Sequence, residues 1–332
     1  MKSKPLITIA TVTYNAEATL ARTLKSVAAQ DYPRVEHLIV DGRSKDGTLL
    51  LVQRYVEQNT NEEIPHNIRL ICEHDNGLYD AMNKAIQLAT GDYIVFLNAG
   101  DKLKTPQTLT RLVESMEWIK GDRANPAIVY GETDLVDDEG RFIRHRRLSA
   151  PEKLTWRSFL SGMLVCHQSF YVRTDLARTE PYNLKYRFSA DYDWCIRLMK
   201  KAAKRKLPIV NSRLVLTDYL NEGLTTKNHR KSLVERLRLM AHHYGWPAFS
   251  YSIEMNTHNK SKSEKQALRP VFRFYCFIIR KLRANHFACS CVLRIKLFCK
   301  ARINKLNKFF NSQLFIGTAG DDADVCAAHD AE

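Results

Sequence analysis

At 332 residues, with 45% hydrophobic and 26% charged side chains, the chain has the balance of a folded globular protein and excludes a disordered or low-complexity one. Its net charge of +15 is unevenly spread: residues 265–332 hold 12 of the 51 basic side chains but 5 of the 36 acidic ones. No run of 18 apolar residues occurs, so no transmembrane helix is predicted.

Strand and helix patterns alternate through the first hundred residues. Leu6–Val12, Glu36–Val40, Ile68–Cys72 and Tyr93–Leu97 are short, apolar and rich in β-branched side chains, as strands are. Between them, Leu20, Leu24 and Val27 fall on one helix face, Val52 and Val56 on a second, and Met82, Ala85 and Ala89 on a third. Repeated strand–helix–strand units predict an α/β fold with a mainly parallel sheet flanked by helices. Further on, Ala127–Tyr130 reads as a strand. Glu132–Val136 and Arg141–Arg146 read as hairpin arms around Asp137-Asp-Glu-Gly140. Leu184–Ala203 holds a helical segment around Trp194, Ile209–Tyr219 alternates like a strand, and Leu233–His243 is helical. The polar run Thr257–Glu264 marks a linker, so residues 1–256 are expected to be the main domain.

Each early strand ends in polar residues without a packing role: Thr13-Tyr-Asn15, Asp41-Gly42, Glu73-His-Asp75 and Asn98-Ala-Gly-Asp101. Open α/β sheets bind ligands outside the carboxyl ends of their strands, so these four groups are expected to meet in one crevice. Asp101, supported by Asn98, offers the oxygen ligands that Mg2+ or Mn2+ prefers when phosphates complete the shell. Gly42 and Gly47 let the backbone approach a ligand closely, and Asp41 is placed to accept hydrogen bonds from a base or ribose. No Gly-x-Gly-x-x-Gly follows the first strand and no P-loop is present, which excludes the common dinucleotide and NTPase sites.

Taken in order, Thr11-Val-Thr-Tyr-Asn15, Val40-Asp-Gly-Arg-Ser-Lys-Asp-Gly-Thr48, Asp75-Asn-Gly-Leu-Tyr-Asp-Ala-Met-Asn83 and Phe96-Leu-Asn-Ala-Gly-Asp101 resemble glycosyltransferase family 2, in its bacterial branch similar to colanic acid transferases. The resemblance spans about residues 5–245. It implies a GT-A fold and inverting transfer of a sugar from a metal-bound nucleotide sugar to a hydroxyl of a glycan or lipid-linked acceptor, in polysaccharide biosynthesis. It further implies that Thr13, Asn15, Asp41, Asp75, Asp80 and Asn98 surround the donor and that Asp101 holds the metal. In Ser189-Ala-Asp191-Tyr-Asp193-Trp194, Asp191 matches the family's general base, and Asp193 is expected to be structural. His167 and Gln168 resemble a pair on the acceptor side, and Asn221–Thr226 resembles a segment near the diphosphate. The family's Asp-x-Asp-Asp metal motif is altered here, with Asn98 and Gly100 at two of its places. The alternative is a non-catalytic module that binds nucleotide sugars or polyanions.

Residues 265–318 mix Lys and Arg with aromatics, predicting a basic amphipathic helical tail, and the segment 265–310 suits an anionic membrane surface. Without a recognisable nucleic-acid fold, no nucleic acid is expected as a partner. Residues 319–332 form an acidic end expected to be disordered. The eight cysteines include no Cys-x-x-Cys pair, and the chain leads from Met1 straight into a strand-like run. A reducing, cytoplasmic setting is expected, on the inner face of the inner membrane, with idle or buried thiols. Cys289, Cys291 and Cys299 are poorly spaced for zinc.

Overall fold

A computed structural model of the protein describes residues 4–245, apart from 62, 117, 120, 121, 123 and 221–228. The expected linker, basic tail and acidic end, the cysteines after Cys195 and the Asn221–Thr226 segment therefore lie outside the described residues.

Strand β1 (Ile7–Thr13) leads through α1 (Glu17–Ala28) to β2 (Val35–Asp41), then α2 (Thr48–Asn59), β3 (Asn67–Cys72), α3 (Leu78–Leu88) and β4 (Tyr93–Phe96). Every residue of β1, β2 and β4 is buried, as continuous apolar strands are when helices cover both faces of a sheet. These strands run parallel in the order β3-β2-β1-β4. Their register aligns Thr13 with Asp41 and Asp41 with Cys72, so the chain leaves β1, β2 and β3 at one level. Helix α1 buries Leu20, Leu24 and Val27, and α3 buries Tyr79, Met82, Ala85 and Ile86. Helix α2 departs from expectation. It buries Val52, Tyr55 and Asn59, while Val56 is 38% exposed. The stripe steps i, i+3, i+7 because the Tyr55 hydroxyl reaches inward to His37 Nδ1 at 2.9 Å.

The second half is antiparallel where it meets the first. After the short β5 (Lys102–Leu103) and α4 (Thr108–Glu114), the two expected strands either side of Gly131 form a single one, β6 (Ile128–Val136). Glycine is required at 131, because a Cβ there would lie 2.5 Å from the Leu214 carbonyl oxygen. The turn after β6 carries Gly140 at φ 80° and returns as β7 (Phe142–His145), giving the expected hairpin. A strand absent from the sequence expectation, β8 (Phe170–Arg173), joins the halves by pairing antiparallel with both β4 and β6. After α5 (Thr174–Ala177) and α6 (Ala190–Lys204), β9 (Ile209–Leu220) lies parallel to β6 and antiparallel to β5. Helix α7 (His229–Tyr244) closes the described chain.

The largest core cluster seats α6 beneath β4 and β8. Trp194 stacks on Tyr182 at 4.6 Å and meets Phe96 edge-on at 5.8 Å. That packing places the first turn of α6, with Asp191, against the site described next. No helix among the described residues is long and apolar enough to cross a membrane.

Candidate active site

The first two strand ends are laced together by side chains. Asp41 is fully buried, and its carboxylate accepts hydrogen bonds from Thr13 Oγ1 (2.8 Å), Ser44 N (2.7 Å) and Ser44 Oγ (2.6 Å). Asn15 sits in the left-handed region at φ 49°, donates its N–H to Ser44 Oγ and accepts the Lys45 N–H on Oδ1 at 2.9 Å. The expectation of a direct donor contact by Asp41 meets a different arrangement: its oxygens brace the loop that follows β2. Gly42 is where this loop approaches the third one. A Cβ there would lie 2.5 Å from Asp75 Oδ2 and 3.3 Å from Tyr14 Cδ2. Tyr14, not singled out in the sequence, is 62% exposed beside that floor.

In the third loop, Asp75 Oδ1 accepts the Gly77 N–H at 2.8 Å and Asp80 Oδ2 accepts the Asn76 N–H at 2.9 Å. Asp80 thus serves its own turn, accepting from both the backbone and the side-chain amide of Asn76. From the same helix start, Tyr79 points inward, and its hydroxyl donates to Asp191 Oδ1 at 3.2 Å. Burial first, and then the Asp191 charge, push the Tyr79 phenol well above its ordinary pKa, so it stays a donor.

The fourth loop and the second half of the chain form a second cluster, which the third loop reaches through Tyr79 and Asp191. Thr23 pins the loop by donating to the Asp101 carbonyl at 2.7 Å and accepting the Gly100 N–H at 3.0 Å. The Asp101 carboxylate accepts from Gln168 Nε2 at 2.9 Å and from Leu220 N at 3.0 Å. The Asn98 amide nitrogen lies 3.3 Å from His167 Nε2, and His167 Nδ1 lies 3.4 Å from Asp191 Oδ2. With the amide donating to Nε2, the Nδ1 proton points at Asp191. One short turn, His167–Ser169, therefore touches both carboxyls: His167 reaches Asp191, and Gln168 reaches Asp101.

The two carboxyls titrate in opposite directions. Burial pushes Asp101 up to about 6, beyond what Leu220 N–H and Gln168 recover. Burial acts on Asp191 too, but the His167 hydrogen bond, the Tyr192 N–H and the Arg236 charge overcome it and hold the group below the ordinary carboxylate range. Asp193, two residues on, turns away as expected. It is buried, accepts from Arg197 Nε at 2.6 Å and lies 2.7 Å from His243 Nε2.

Comparison with known proteins shows the family and the fold. The family profile described as Glycosyl transferase family 2 matches residues 8–186, more than half of the chain. The chain belongs to glycosyltransferase family 2. A PGL/p-HBAD biosynthesis glycosyltransferase of Mycobacterium bovis is 32% identical over 200 residues, 60% of this chain and 72% of that protein. The putative teichuronic acid biosynthesis glycosyltransferase TuaG of Bacillus subtilis is 30% identical over 200 residues, 60% of this chain and 73% of that protein. Among solved structures, S. aureus TarS 1–349 in complex with UDP-GlcNAc superposes with a TM-score of 0.55 at 17% identity, covering 77% of this chain and 73% of that one. The fold is the GT-A fold that the motifs imply, and the protein is a glycosyltransferase.

For this family 2 enzyme the fit of a divalent cation rests on two atoms. Among the described residues no group of three or more His, Cys, Asp or Glu side chains forms a protein cage for a metal. The Asn98 Oδ1 is nevertheless buried without a hydrogen-bond partner, and the nearby Asp101 carboxyl has its ionised form disfavoured by burial. An unpaired oxygen and an under-compensated carboxyl suit a hard cation that takes its remaining ligands from phosphates.

Proposed function

We propose that the protein transfers a sugar from a nucleoside diphosphate to a hydroxyl group of a glycan or lipid-linked acceptor, inverting the anomeric carbon, in cell-surface polysaccharide biosynthesis. The observation that carries this reading is the ionised Asp191 carboxylate, its side chain 20% exposed and held between Tyr79 and His167. A single in-line displacement needs one base at the attacking hydroxyl. Asp191 takes the proton of the acceptor hydroxyl as the acceptor oxygen bonds to the anomeric carbon, and the bond from that carbon to the diphosphate breaks on the opposite face.

The nucleoside lies over the loops after β1, β2 and β3, where Thr13, Asn15, Asp41 and Asp75 set the floor and the exposed Tyr14 ring offers a flat surface for a base. Asp80 keeps the third loop in shape. Asn98 and Asp101 would hold Mg2+ or Mn2+. Bound there, such a cation neutralises charge on the departing diphosphate. His167 and Gln168 face the acceptor side and fix the two carboxyls relative to one another.

Asp191→Asn tests the assignment. A panel of UDP-, GDP- and dTDP-sugars, with and without Mn2+, identifies the donor by binding and slow hydrolysis. The variant is expected to keep donor affinity and lose about 10²–10⁴ in turnover. Unchanged turnover would leave a binding module as the better account. The basic segment 265–310 is proposed to rest on an anionic membrane at the cytoplasmic face. Vesicle flotation of the full chain and a 1–264 form tests that, and equal, negligible binding by both removes it.

A further inference from the structure

The orientation of Asp191 depends on where α6 begins, because the residue stands in that helix's first turn. The helix does not fix its own start. Ser189, at the cap position, makes no side-chain capping bond, and its hydroxyl is buried without a partner. A serine there ordinarily accepts an N–H of the first turn, and replacing such a cap costs roughly 1 kcal/mol. The constraint is supplied from elsewhere. Just upstream, Arg187 N and Phe188 N donate to the two oxygens of Glu235, at 2.6 Å and 2.7 Å. These are two charge-assisted bonds on consecutive amides, a pairing that sets direction as well as distance.

Glu235 lies on α7, which is itself fastened to α6. Leu237, Leu239 and Met240 are buried, Tyr192 Oη donates to Met240 Sδ at 3.2 Å, and His243 meets Asp193. Arg236, the next residue, lies over the Tyr192 ring at 5.8 Å. The carboxylate is therefore a fixed point of the scaffold, with the chain entering the base-bearing helix hung from it.

We propose that Glu235 is a positioning residue for Asp191, capping the entry to α6 across 47 residues of sequence. This rests on the reading of Asp191 as the base. A carboxylate set about 1 Å from its productive place can cost 10²-fold in rate. Glu235→Ala is expected to lower turnover about tenfold to a hundredfold, with donor affinity unchanged. Glu235→Gln, which keeps one acceptor oxygen, falls between Ala and wild type.

The test is a double-mutant cycle on the full chain, following hydrolysis of the nucleotide sugar selected by the panel above. If Glu235 acts through Asp191, Glu235→Ala slows the wild type but leaves the residual rate of Asp191→Asn unchanged. Equal slowing in both backgrounds overturns the proposal and makes Glu235 merely structural, as does wild-type turnover in both Glu235 variants. Should Asp191→Asn alone keep full activity, the base assignment fails first, and Glu235 falls with it. Where Glu235→Ala does not fold, Glu235→Gln carries the same cycle.

Discussion

The substitution Asp101→Asn exchanges a carboxyl that is 3% exposed for a neutral amide of nearly the same shape. Burial raises Asp101 from an ordinary 3.8 to about 6. At about 1.4 kcal/mol per pH unit, ionising it in the ligand-free fold costs about 3 kcal/mol. The folded chain holds this proton more tightly than the unfolded one. The group's stabilising contribution is therefore complete below about pH 4 and is lost as pH rises through 6. Over pH 5 to 8 the loss amounts to about 1.4 kcal/mol, whereas an amide titrates nothing there. Urea unfolding of both proteins across that range, without divalent cation, is the assay. Comparing slopes cancels whatever constant offset the amide introduces against Gln168 and the Leu220 N–H. The wild-type curve should fall relative to the variant by the stated amount, and saturating Mn2+ with the nucleoside diphosphate of the donor that the panel selects should flatten it. Parallel curves would refute the reasoning, because a carboxyl without a burial penalty has no reason to await a cation.

Two further outcomes follow from single contacts. Tyr79→Phe removes the hydroxyl that donates to Asp191 Oδ1. Hydrogen bonds to charged groups are worth about 1.5–3 kcal/mol, so the acid limb of the turnover profile should move up by about one to two pH units, measured as kcat against pH. Asp193→Ala strips a buried carboxylate from Arg197 and His243. Thermal denaturation should register a loss of about 3–5 kcal/mol.

The parallel half of the sheet is legible because three of its four strands, β1, β2 and β4, are buried along their whole length. A continuous apolar run ending in Thr, Asn or Asp marks where each strand leaves the core, so Thr13, Asp41 and Asn98 stand out. The antiparallel half lacks that contrast. Strand β8 is four residues long, too short for periodicity to separate strand from helix. Gly131 resembles a break, yet it continues a strand because a neighbouring carbonyl needs its space. Tyr79 falls in the same buried stripe as Met82 and Ala85, where an aromatic side chain reads as core packing. Its hydroxyl becomes significant once α6 is seen to face it. Glu235 carries no local signal at all, since its partners lie 47 and 48 residues away in the sequence.

Asp101 is 3% exposed whereas the Asp191 side chain is 20% exposed, and the groups around the two carboxyls differ as well. Asp101 is held by two neutral donors, the Gln168 amide and the Leu220 N–H, which do not offset the loss of water. Asp191 receives the Tyr79 hydroxyl and His167, with the Arg236 charge nearby, and is ionised without help. Carboxyls driven apart in this way are suited to different tasks. In the proposed reaction Asp191 is the carboxylate able to accept a proton, whereas the Asp101 carboxylate carries a burial cost that a bound cation would offset. Because His167 and Gln168 are adjacent, the group that braces Asp101 and the group that braces Asp191 stand side by side on one short turn of backbone.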